Sequence, residues 1–271
     1  MNTPILLQGN PVDDSTAGHQ QGPRSTRTEP EPPTQPPSSP LPNELFPTLD
    51  GRYRQVGAPR WGGMGIVFQA HDTILNTPVA IKRIRPELIQ DQQLRDRFAQ
   101  EARAQFTLYR VPGIVAAHHY AVDRVGPYLI LDWIEGQSLQ EIMDALPENE
   151  VLPWEMAALL CASACDALHP AHEKGFIHRD IKPSNLRRGT NGTLWVGDFG
   201  VVLLMPREMS GNHFTHSAAT LGSPHYMSPE QDKDPRNATP QSDIWSLGAT
   251  LHYLVTRRRM CDLRDKKIPK K

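Results

Sequence analysis

The sequence predicts an α+β fold in which a part rich in β-strands precedes a part that is mainly helical. From Gly51 to about residue 84, β-branched and aromatic runs alternate with glycine turns, which is typical of short strands. After residue 134, three segments carry apolar residues at helical spacing. The sequence shows no internal repeat, and we interpret residues 49–260 as one domain with two parts.

The elements follow in a definite order along the chain. Strands are predicted in GRYRQVGAPRWGGMGIVFQAHD and TPVAIKRI, and an amphipathic helix over residues 94–110. AVDRVGPYLILDWIEG predicts a hairpin, with a turn at residues 124–127 and an apolar strand that ends at Gly136. Helices are then predicted in SLQEIMDAL, PWEMAALLCASACDALHPAHEKG and SDIWSLGATLHYLVTRR.

The ends of the chain differ from this domain in composition. Residues 1–48 are rich in proline and poor in large apolar residues, which predicts a disordered leader with polyproline II character. A passive linker is the favoured interpretation, and a ligand for a proline-recognising partner is the alternative. Residues 261–271 are basic and lack apolar periodicity, so they are expected to be a frayed tail rather than a membrane or nucleic-acid anchor.

Composition indicates a soluble globular protein. Of 271 residues, 38% are hydrophobic and 22% are charged, and 29 Lys and Arg nearly balance 30 Asp and Glu. This balance gives no electrostatic reason to expect nucleic-acid or membrane binding. No signal peptide is visible, and no apolar stretch reaches the roughly 20 residues of a membrane span. We therefore expect a cytoplasmic location.

The three cysteines, Cys161, Cys165 and Cys261, form no CxxC pair, which favours a reducing compartment. Cys161 and Cys165 are four residues apart in an apolar helical pattern. They are expected to be buried thiols on one helix face, with metal ligation and redox sensing as the alternatives.

Two features of the strand-rich part could contact phosphates. The glycines of WGGMG, residues 61–65, allow a backbone to approach a phosphate closely, although a plain hairpin turn explains them equally well. Lys82 closes the apolar run VAIK, where a solvated strand end is the simpler interpretation. That interpretation changes if Glu101, on the following helix, pairs with Lys82 rather than with Arg97 as an exposed i,i+4 partner.

Two polar clusters follow at the start of the helical part. HRDIKPSN contains Asp180, Lys182 and Asn185, and GDFG contains Asp198. The oxygens of two aspartates and an asparagine suit Mg²⁺, one carboxylate could accept a proton, and lysines could neutralise phosphate charge. Polar turns explain each cluster separately, but they do not explain why all of them occur in one order.

That order resembles the catalytic domain of eukaryotic-like (Hanks-type) bacterial serine/threonine protein kinases. A glycine-rich loop, VAIK, a helix glutamate, HRDxKxxN, DFG and Ser228-Pro229-Glu230 follow one another as in that family. The resemblance covers residues 51–260 and implies a bilobal fold. Its N-lobe would span about residues 49–133 and its C-lobe about residues 134–260.

The resemblance implies ATP and Mg²⁺ as cofactors and assigns roles to the clusters. Lys82, paired with Glu101, would hold the α- and β-phosphates. Asp180 would accept or orient the substrate hydroxyl, and Lys182 would neutralise the transferred phosphate. Asn185 and Asp198 would hold Mg²⁺. The remaining ATP-binding residues would be Gly57, Gly62, Gly63, Gly65, Val67, Ala80, Leu131, Asp132 and Trp133.

Within this set, Leu131 would be the gatekeeper, and Leu131, Asp132 and Trp133 would bind adenine through backbone groups. Lys182, two residues after Asp180, resembles the serine/threonine-specific pattern. The Ser-Pro-Glu motif and the long segment before it favour proteins over small molecules as substrates.

The resemblance also implies regulation and structural support. Arg179 would pair with a phosphate on the loop before Glu230, with Thr215, Ser217 and Thr220 as candidate phosphosites and Thr215 and Ser217 favoured. Ser223 stands where the family has a threonine that contacts the catalytic aspartate. Asp243 would hydrogen-bond the backbone of the catalytic loop, and an N-cap role for Ser242 or Asp243 is compatible with this.

Two departures from the family pattern lower the expected activity. Arg60 replaces the first loop glycine, and Gly57 serves only if the intervening residues are an insertion. The family continues through further helices, including the arginine partner of Glu230, so we expect a C-lobe that lacks its last helices. An inactive kinase fold that acts as a binding module, or a decayed gene product, is the alternative to a working kinase.

Overall fold

The computed structural model describes residues 51–62, 65–199, 203–204 and 223–260, with the backbone alone described at residues 203–204. The predicted leader and the predicted basic tail lie outside these ranges, so both stay predictions. Within the described residues, a part built mainly from strands precedes a mainly helical part.

Six antiparallel strands form one sheet in the first part. They are β1 (Tyr53–Gln55), β2 (Arg60–Trp61), β3 (Gly65–Asp72), β4 (Thr77–Ile84), β5 (Ala117–Asp123) and β6 (Gly126–Asp132). Their order is β1-β3-β4-β6-β5, with β2 paired to β3. Burial alternates along β3, as expected for a strand with one face toward a core. The register places Val67 opposite Lys82.

The hairpin of β5 and β6 is tighter than the sequence predicts. The predicted turn covers residues 124–127, but Gly126 already pairs with Asp123, which leaves only two residues in the turn. The Asp123 carboxylate accepts a hydrogen bond from the N–H of Gly126 at 3.1 Å, and this local bond stabilises the short turn. Strand β6 ends at Asp132 and not at the predicted Gly136.

Helix α1 (Gln92–Thr107) follows β4 and contacts the sheet. Asp91 is its N-cap, because its carboxylate accepts hydrogen bonds from two backbone N–H groups of the first turn. The buried residues of the helix are Phe98, Glu101, Ala102, Ala104 and Gln105. Burial of Glu101 excludes the alternative of an exposed pair with Arg97.

The second part contains four helices among the described residues. They are α2 (Leu139–Ala145), α3 (Trp154–Glu173), α4 (Pro229–Lys233) and α5 (Pro240–Thr256). Short 3₁₀ helices occur in both parts at Pro86–Leu88, Pro183–Asn185 and Pro235–Asn237. Across the described part of the chain, no helix is long and apolar enough to cross a membrane.

Five short strands accompany these helices. They are β7 (Gly136–Ser138), β8 (Phe176–Ile177), β9 (Leu186–Gly189), β10 (Leu194–Val196) and β11 (Leu203–Leu204). β9 pairs with both β7 and β10, and β8 pairs with β11. Helix α3 packs against α5 and β10, and the buried residues of all three belong to one hydrophobic core. This core supports the loops that connect β8 to β9 and that follow β10.

Asp243, on α5, fixes the loop that follows β8. Its side chain is fully buried, and its two carboxylate oxygens accept hydrogen bonds from the backbone N–H groups of His178 and Arg179, each at 2.8 Å. The ring of His172, on α3, lies 2.8 Å from the same carboxylate. A buried carboxylate with three partners holds the loop backbone in one position, because leaving any donor unpaired is costly.

The start of α5 corrects one prediction. Neither Ser242 nor Asp243 is the N-cap, because the helix begins at Pro240 and Thr239 precedes it as the cap. Ser242 lies one turn into the helix, where its hydroxyl accepts from the N–H of Thr239 at 3.1 Å and donates to Glu230 at 2.6 Å. This bond to Ser242 lowers the pKa of Glu230 and links α4 to α5.

The cysteines on α3 match their prediction. Cys161 is buried, Cys165 is partly buried, and both are free thiols. Burial raises the pKa of the Cys161 thiol to about 11, which disfavours the thiolate that metals and oxidants require. Among the described residues, no group of three or more His, Cys, Asp and Glu side chains could hold a metal ion. Cys261 lies outside those residues.

An ion pair between the buried carboxylate of Asp72 and the partly exposed Arg52 makes the stability of the fold depend on pH. The Arg52 guanidinium lowers the pKa of Asp72 to about 2, and Asp72 is 1% exposed. Because the folded pKa lies below the unfolded one, this stabilisation is present above about pH 4 and is lost as the pH falls toward 2. We expect Asp72→Asn to lower the free energy of unfolding by about 1–2 kcal/mol at pH 7, measured by urea denaturation.

The control for Asp72 is Glu173→Gln, which removes an exposed ion pair with His169 and should change stability by less than about 0.5 kcal/mol. The difference in stability between wild type and Asp72→Asn should shrink as the pH approaches 2. A difference that stays constant between pH 7 and pH 3 would contradict the role of the ionised carboxylate.

We expect Asp243→Asn to destabilise the protein by about 2–3 kcal/mol, because an amide supplies one acceptor oxygen where the carboxylate supplies two. Urea denaturation of the full chain measures this loss. Asp232→Asn, an exposed change on α4, is the matched control and should leave the free energy of unfolding within about 0.5 kcal/mol of wild type. Equal stability of the two variants would show that Asp243 does not support the loop.

Candidate functional site

One cavity of about 730 Å³ brings together the residues that the sequence analysis selected from both parts of the chain. Residues from the strand-rich part line it together with residues from the loops around β9 and β10. Those among them that the sequence predicts for the site are Gly62, Gly65, Val67, Ala80, Lys82, Glu101, Leu131, Asp132, Trp133, Asp180, Lys182, Asn185 and Asp198. Gly57 does not line this cavity, and Gly63 lies outside the described residues.

Lys82 joins two carboxylates in the cavity. Its ammonium donates to Glu101 of α1 at 2.6 Å and to Asp198, which follows β10. The side chains of Lys82 and Glu101 are 13% and 3% exposed, whereas that of Asp198 is 48% exposed. The lysine therefore connects strand β4, helix α1 and the loop after β10 through one charged group.

Burial and neighbouring charges set the protonation of Lys82, Glu101 and Asp198. Burial lowers the pKa of Lys82, but the charges of Asp198 and Glu101 outweigh it and raise that pKa, so the lysine is a cation. Burial raises the pKa of Glu101. For Asp198, the effect of Lys82 outweighs burial and lowers the pKa. Asp198 is thus the more readily ionised of the two carboxyl groups.

The loop between β8 and β9 presents a second constellation. Lys182 donates to Asp180 at 2.7 Å and to the hydroxyl of Ser223 at 2.9 Å, and the N–H of Ser223 donates to Asp180 at 3.0 Å. The amide of Asn185 donates to the backbone carbonyl of Asp180 at 2.8 Å. These bonds fix the orientation of the Asp180 carboxylate at the cavity wall.

The backbone that carries the two aspartates is strained and held by packing. Arg179 and Asp198 both adopt positive φ angles, 68° and 61°, which non-glycine residues rarely adopt. Beside them, the rings of His178 and Phe199 are buried, with centroids 4.5 Å apart, and His178 Nε2 lies 2.9 Å from the carbonyl of Gly197. Strain of this kind persists only where the surroundings over-determine the conformation, and it concentrates at functional sites.

Gly62, after β2, and Gly65, at the start of β3, line one side of the cavity. The N–H of Gly62 donates to the carbonyl of Gly65 at 2.8 Å. A Cβ atom at Gly65 would lie 2.8 Å from the carbonyl oxygen of Arg83, so this position accepts only glycine without a shift of the backbone. Arg60, which stands where the family has its first glycine, also lines the cavity.

The end of β6 forms the opposite edge. Leu131, Asp132 and Trp133 line the cavity, as do Val67 and Ala80 of the sheet. The backbone N–H of Asp132 donates to the carbonyl of Ala116 at 2.9 Å. That N–H is therefore not available to a ligand. Of the backbone groups of Leu131, Asp132 and Trp133 that were expected to bind adenine, the N–H of Asp132 is thus excluded.

Asn185 and Asp198 fit a hard divalent cation. Because the Asn185 amide nitrogen is bonded to Asp180, the amide oxygen points away from that residue, and its one described contact is a long one to the Ser184 hydroxyl at 3.4 Å. Asp198 has a carboxylate oxygen besides the one bonded to Lys82. Mg²⁺ commonly takes one or two protein oxygens and completes its shell with water and substrate phosphates, which matches this sparse donor set.

The sequence analysis did not predict that three further residues of the cavity wall lie close together. Arg60 and Arg187 lie against the Trp133 ring at the cavity, and both pair with Glu141. Arg60 was noted only as a replacement for a glycine, Glu141 only as part of a helix, and Arg187 not at all. Arg187, two residues after Asn185, and an acid near the start of α2 belong to no motif, so only the fold brings them together.

Comparison with known proteins agrees with the geometry. The protein kinase domain model matches residues 53–271. A probable serine/threonine-protein kinase of Streptomyces coelicolor is 35% identical over 214 residues, which cover 78% of this chain and 31% of that protein. The serine/threonine-protein kinase PrkC of Bacillus subtilis is 34% identical over 210 residues, with the same two coverages.

A shorter relative shows the same likeness. The serine/threonine-protein kinase PknL of Mycobacterium tuberculosis is 33% identical over 208 residues, which cover 77% of this chain and 50% of PknL. The matched part of the chain therefore spans only 31% to 50% of the length of these relatives. The predicted bilobal kinase-like fold and the resemblance to Hanks-type kinases are both confirmed, and the chain belongs to the protein kinase family, with the catalytic domain of bacterial serine/threonine kinases as its counterpart.

Proposed function

We propose that this chain transfers the γ-phosphate of ATP to serine and threonine hydroxyls of protein substrates, with Mg²⁺ as the metal. The observation that carries the proposal is the single cavity in which Lys82, Asp180, Lys182, Asn185 and Asp198 converge. Phosphoryl transfer makes little covalent demand on a protein, so positioned cations, oxygen ligands and one carboxylate are sufficient.

Lys82 would contact the α- and β-phosphates of ATP. Its ammonium is charged and is held by Glu101, whose side chain is buried on α1. The same ammonium also contacts Asp198. Phosphate oxygens are equivalent partners for a lysine ammonium. A bound nucleotide would therefore share the Lys82 ammonium with Asp198, and its charged phosphates would lie beside the Asp198 carboxylate.

Asp180 would orient the substrate hydroxyl and accept its proton. Lys182 and the N–H of Ser223 each donate to one of its carboxylate oxygens, which fixes the direction of the carboxylate. Lys182, which also donates to Ser223, would neutralise charge on the phosphate during transfer. Asn185 and Asp198 would hold Mg²⁺, which supplies charge neutralisation for the phosphates.

Serine/threonine specificity and a protein substrate are supported by the same contacts. Ser223 belongs to the segment that leads to Ser228-Pro229-Glu230, and it contacts both Asp180 and Lys182. Gln231, just after that motif, donates to the carbonyl of Arg179 at 2.7 Å. The segment that would receive a protein substrate is thus tied directly to the proposed catalytic residues. A cytoplasmic location and a proline-recognising partner for residues 1–48 stay predictions from the sequence.

The burial of the Arg179 side chain supports the proposal that phosphorylation activates the protein. Its side chain is 3% exposed, and its Nε and Nη1 atoms have no hydrogen-bond partner among the described residues. Burial lowers the pKa of Arg179 to about 10, with Asp243 acting in the opposite direction. An unpartnered buried guanidinium would be stabilised by a phosphate, which accepts several charge-assisted hydrogen bonds. Thr215, Ser217 and Thr220 remain the proposed acceptors and lie outside the described residues.

Transfer of labelled γ-phosphate from Mg²⁺–ATP to the full chain and to a generic basic protein tests the proposal. We expect Asp180→Asn to lower the rate by at least about 10²-fold, because the carboxylate that positions the hydroxyl is lost. Asp198→Ala should abolish incorporation. The matched control is Asp166→Asn, an exposed change on α3, which should leave the rate unchanged.

The outcomes separate the two candidate functions. Incorporation that the two site variants remove supports a kinase. A folded wild-type chain that incorporates no label would contradict the proposed activity and favour an inactive kinase fold that acts as a binding module.

The role of Arg179 predicts a pattern of phosphatase sensitivity. Treatment of the autophosphorylated wild type with a phosphatase should lower its activity about tenfold, because the phosphate partner of Arg179 is removed. Arg179→Gln should have low activity that phosphatase treatment does not change. Arg188→Gln, an exposed change on β9, is the control and should respond as wild type does. Equal phosphatase sensitivity of Arg179→Gln and wild type would contradict the proposed pairing.

A further inference from the structure

Arg97, on α1, is a cation of the cavity wall that the proposed mechanism does not use. Leu94, Arg97, Phe98 and Glu101 all line the cavity. Their spacing of i, i+3, i+4 and i+7 places them on one face of α1, which is therefore directed at the cavity. Glu101 is buried, whereas Arg97, about 6 Å away along the helix axis, is partly exposed. Arg97 thus lies nearer to solvent than the contact of Glu101 with Lys82.

Arg97 differs from the other cations of the cavity wall because it has no counter-charge. Four further cationic side chains are among the described lining residues, and each forms an ion pair with a carboxylate: Arg60, Lys82, Lys182 and Arg187. The guanidinium of Arg97 forms no ion pair and no hydrogen bond with any residue that the structure describes. Glu101, four residues further along the helix, is already bonded to Lys82. The charge of Arg97 is therefore available to a group that enters the cavity.

The wall next to Arg97 is apolar. Leu94 and Phe98 lie beside it on the same helix face, and Phe98 shares a hydrophobic cluster with Ile84 of β4, which also lines the cavity. Apolar walls strengthen the field of a nearby charge, because they lower the local dielectric constant. A guanidinium presents its N–H donors in a planar fork that matches the oxygens of a carboxylate or a phosphate. The chemical group that fits Arg97 is therefore one of these two anions.

The phosphates of the nucleotide have other partners under the proposed function. Lys82, Asn185 and Asp198 would hold them directly or through Mg²⁺. Asp180, which would bind the acceptor hydroxyl, lines the same cavity as Arg97. A protein segment that brings its hydroxyl to Asp180 therefore brings the neighbouring side chains into this cavity as well.

We propose that Arg97 is a specificity residue that binds an anionic group of the protein substrate, a carboxylate or a phosphate close in sequence to the acceptor hydroxyl. The inference rests on the proposed function, since it names the class of substrate for the same site. Arg97 takes no part in phosphoryl transfer itself. Acidic residues beside the acceptor should favour a substrate and basic residues should disfavour it, because like charges oppose binding.

Transfer of phosphate from Mg²⁺–ATP to four serine peptides by the full chain tests this site. The peptides are identical except that the residues beside the serine are glutamate, glutamine, lysine or phosphothreonine. We expect the kcat/KM of wild type to be about fivefold higher for the glutamate peptide than for the glutamine peptide, mainly through KM, which is the size of a partly exposed ion pair. A phosphothreonine peptide that exceeds the glutamate peptide identifies phosphate as the preferred anion, and the reverse order identifies carboxylate.

Two variants connect this preference to the Arg97 guanidinium. Arg97→Gln should reduce the glutamate-to-glutamine ratio of kcat/KM to about one, and Arg97→Glu should make the lysine peptide a better substrate than the glutamate peptide, because the charge is reversed. The matched control is Arg103→Gln, an exposed arginine on α1 outside the cavity lining, which should keep the wild-type ratio. A merely structural role of Arg97 would lower kcat/KM for all peptides alike and would leave their order unchanged.

A binding measurement separates this inference from the proposed activity. Labelled peptides with alanine in place of the serine are titrated with the full chain and Mg²⁺–ADP, and fluorescence polarisation reports their Kd. If the chain transfers no phosphate but binds the glutamate peptide more tightly than the glutamine peptide, and Arg97→Gln removes this difference, the anion site stands and the kinase activity fails. If the chain shows neither transfer nor a difference in binding, both proposals fall.

Other results overturn the inference while the kinase activity stands. Equal kcat/KM of wild type for the glutamate and glutamine peptides would do so, as would a preference that persists in Arg97→Gln. A rise in the KM for ATP with an unchanged peptide order would assign Arg97 to the nucleotide instead. A preference for the glutamate peptide that appears only after phosphatase treatment would assign Arg97 to a phosphate of the chain itself.

Discussion

The shared contact of Lys82 with Glu101 and Asp198 is the interaction on which the arrangement of the site depends. Burying an ion is costly unless partners compensate it, and Lys82 has two carboxylate partners within the cavity. The contact draws helix α1 toward the sheet and draws the loop after β10 toward both. Lys82 lowers the pKa of Asp198, which also keeps a second carboxylate oxygen, and both features agree with its proposed role as a Mg²⁺ ligand.

A second buried carboxylate, that of Asp243, positions the loop on the other side of the cavity. It binds the backbone of the loop that carries Asp180, and so it holds the strained conformation at Arg179. Among the described residues, the buried Nε and Nη1 atoms of Arg179 have no hydrogen-bond partner, and such unpaired donors carry an energetic cost. The core between α3 and α5 offsets this cost. This arrangement agrees with the proposal that a phosphate becomes the partner of Arg179.

The ion pair of Arg60 with Glu141 connects the two parts of the molecule in a different way. Asp243 is fully buried and the Lys82 side chain is 13% exposed, whereas Arg60 and Glu141 are 53% and 38% exposed. An exposed ion pair contributes at most about 1 kcal/mol, so this contact is weaker than those of Lys82 and Asp243.

The sequence by itself determined the family, the element order, and the residues from Lys82 to Asp198 that converge on the cavity, because phosphate and metal chemistry restricts residue types at fixed spacings. It also indicated the contact of Asp243 through the family pattern. It misplaced the helix cap at Thr239 and the end of β6, because such boundaries depend on backbone hydrogen bonds with no strong residue signature. Only the tertiary structure decided that Arg60 and Arg187 meet at Trp133 and Glu141, since the four residues lie on β2, β9, the segment after β6 and α2, and no local pattern links them. Their proximity arises from the packing of one part of the chain against the other.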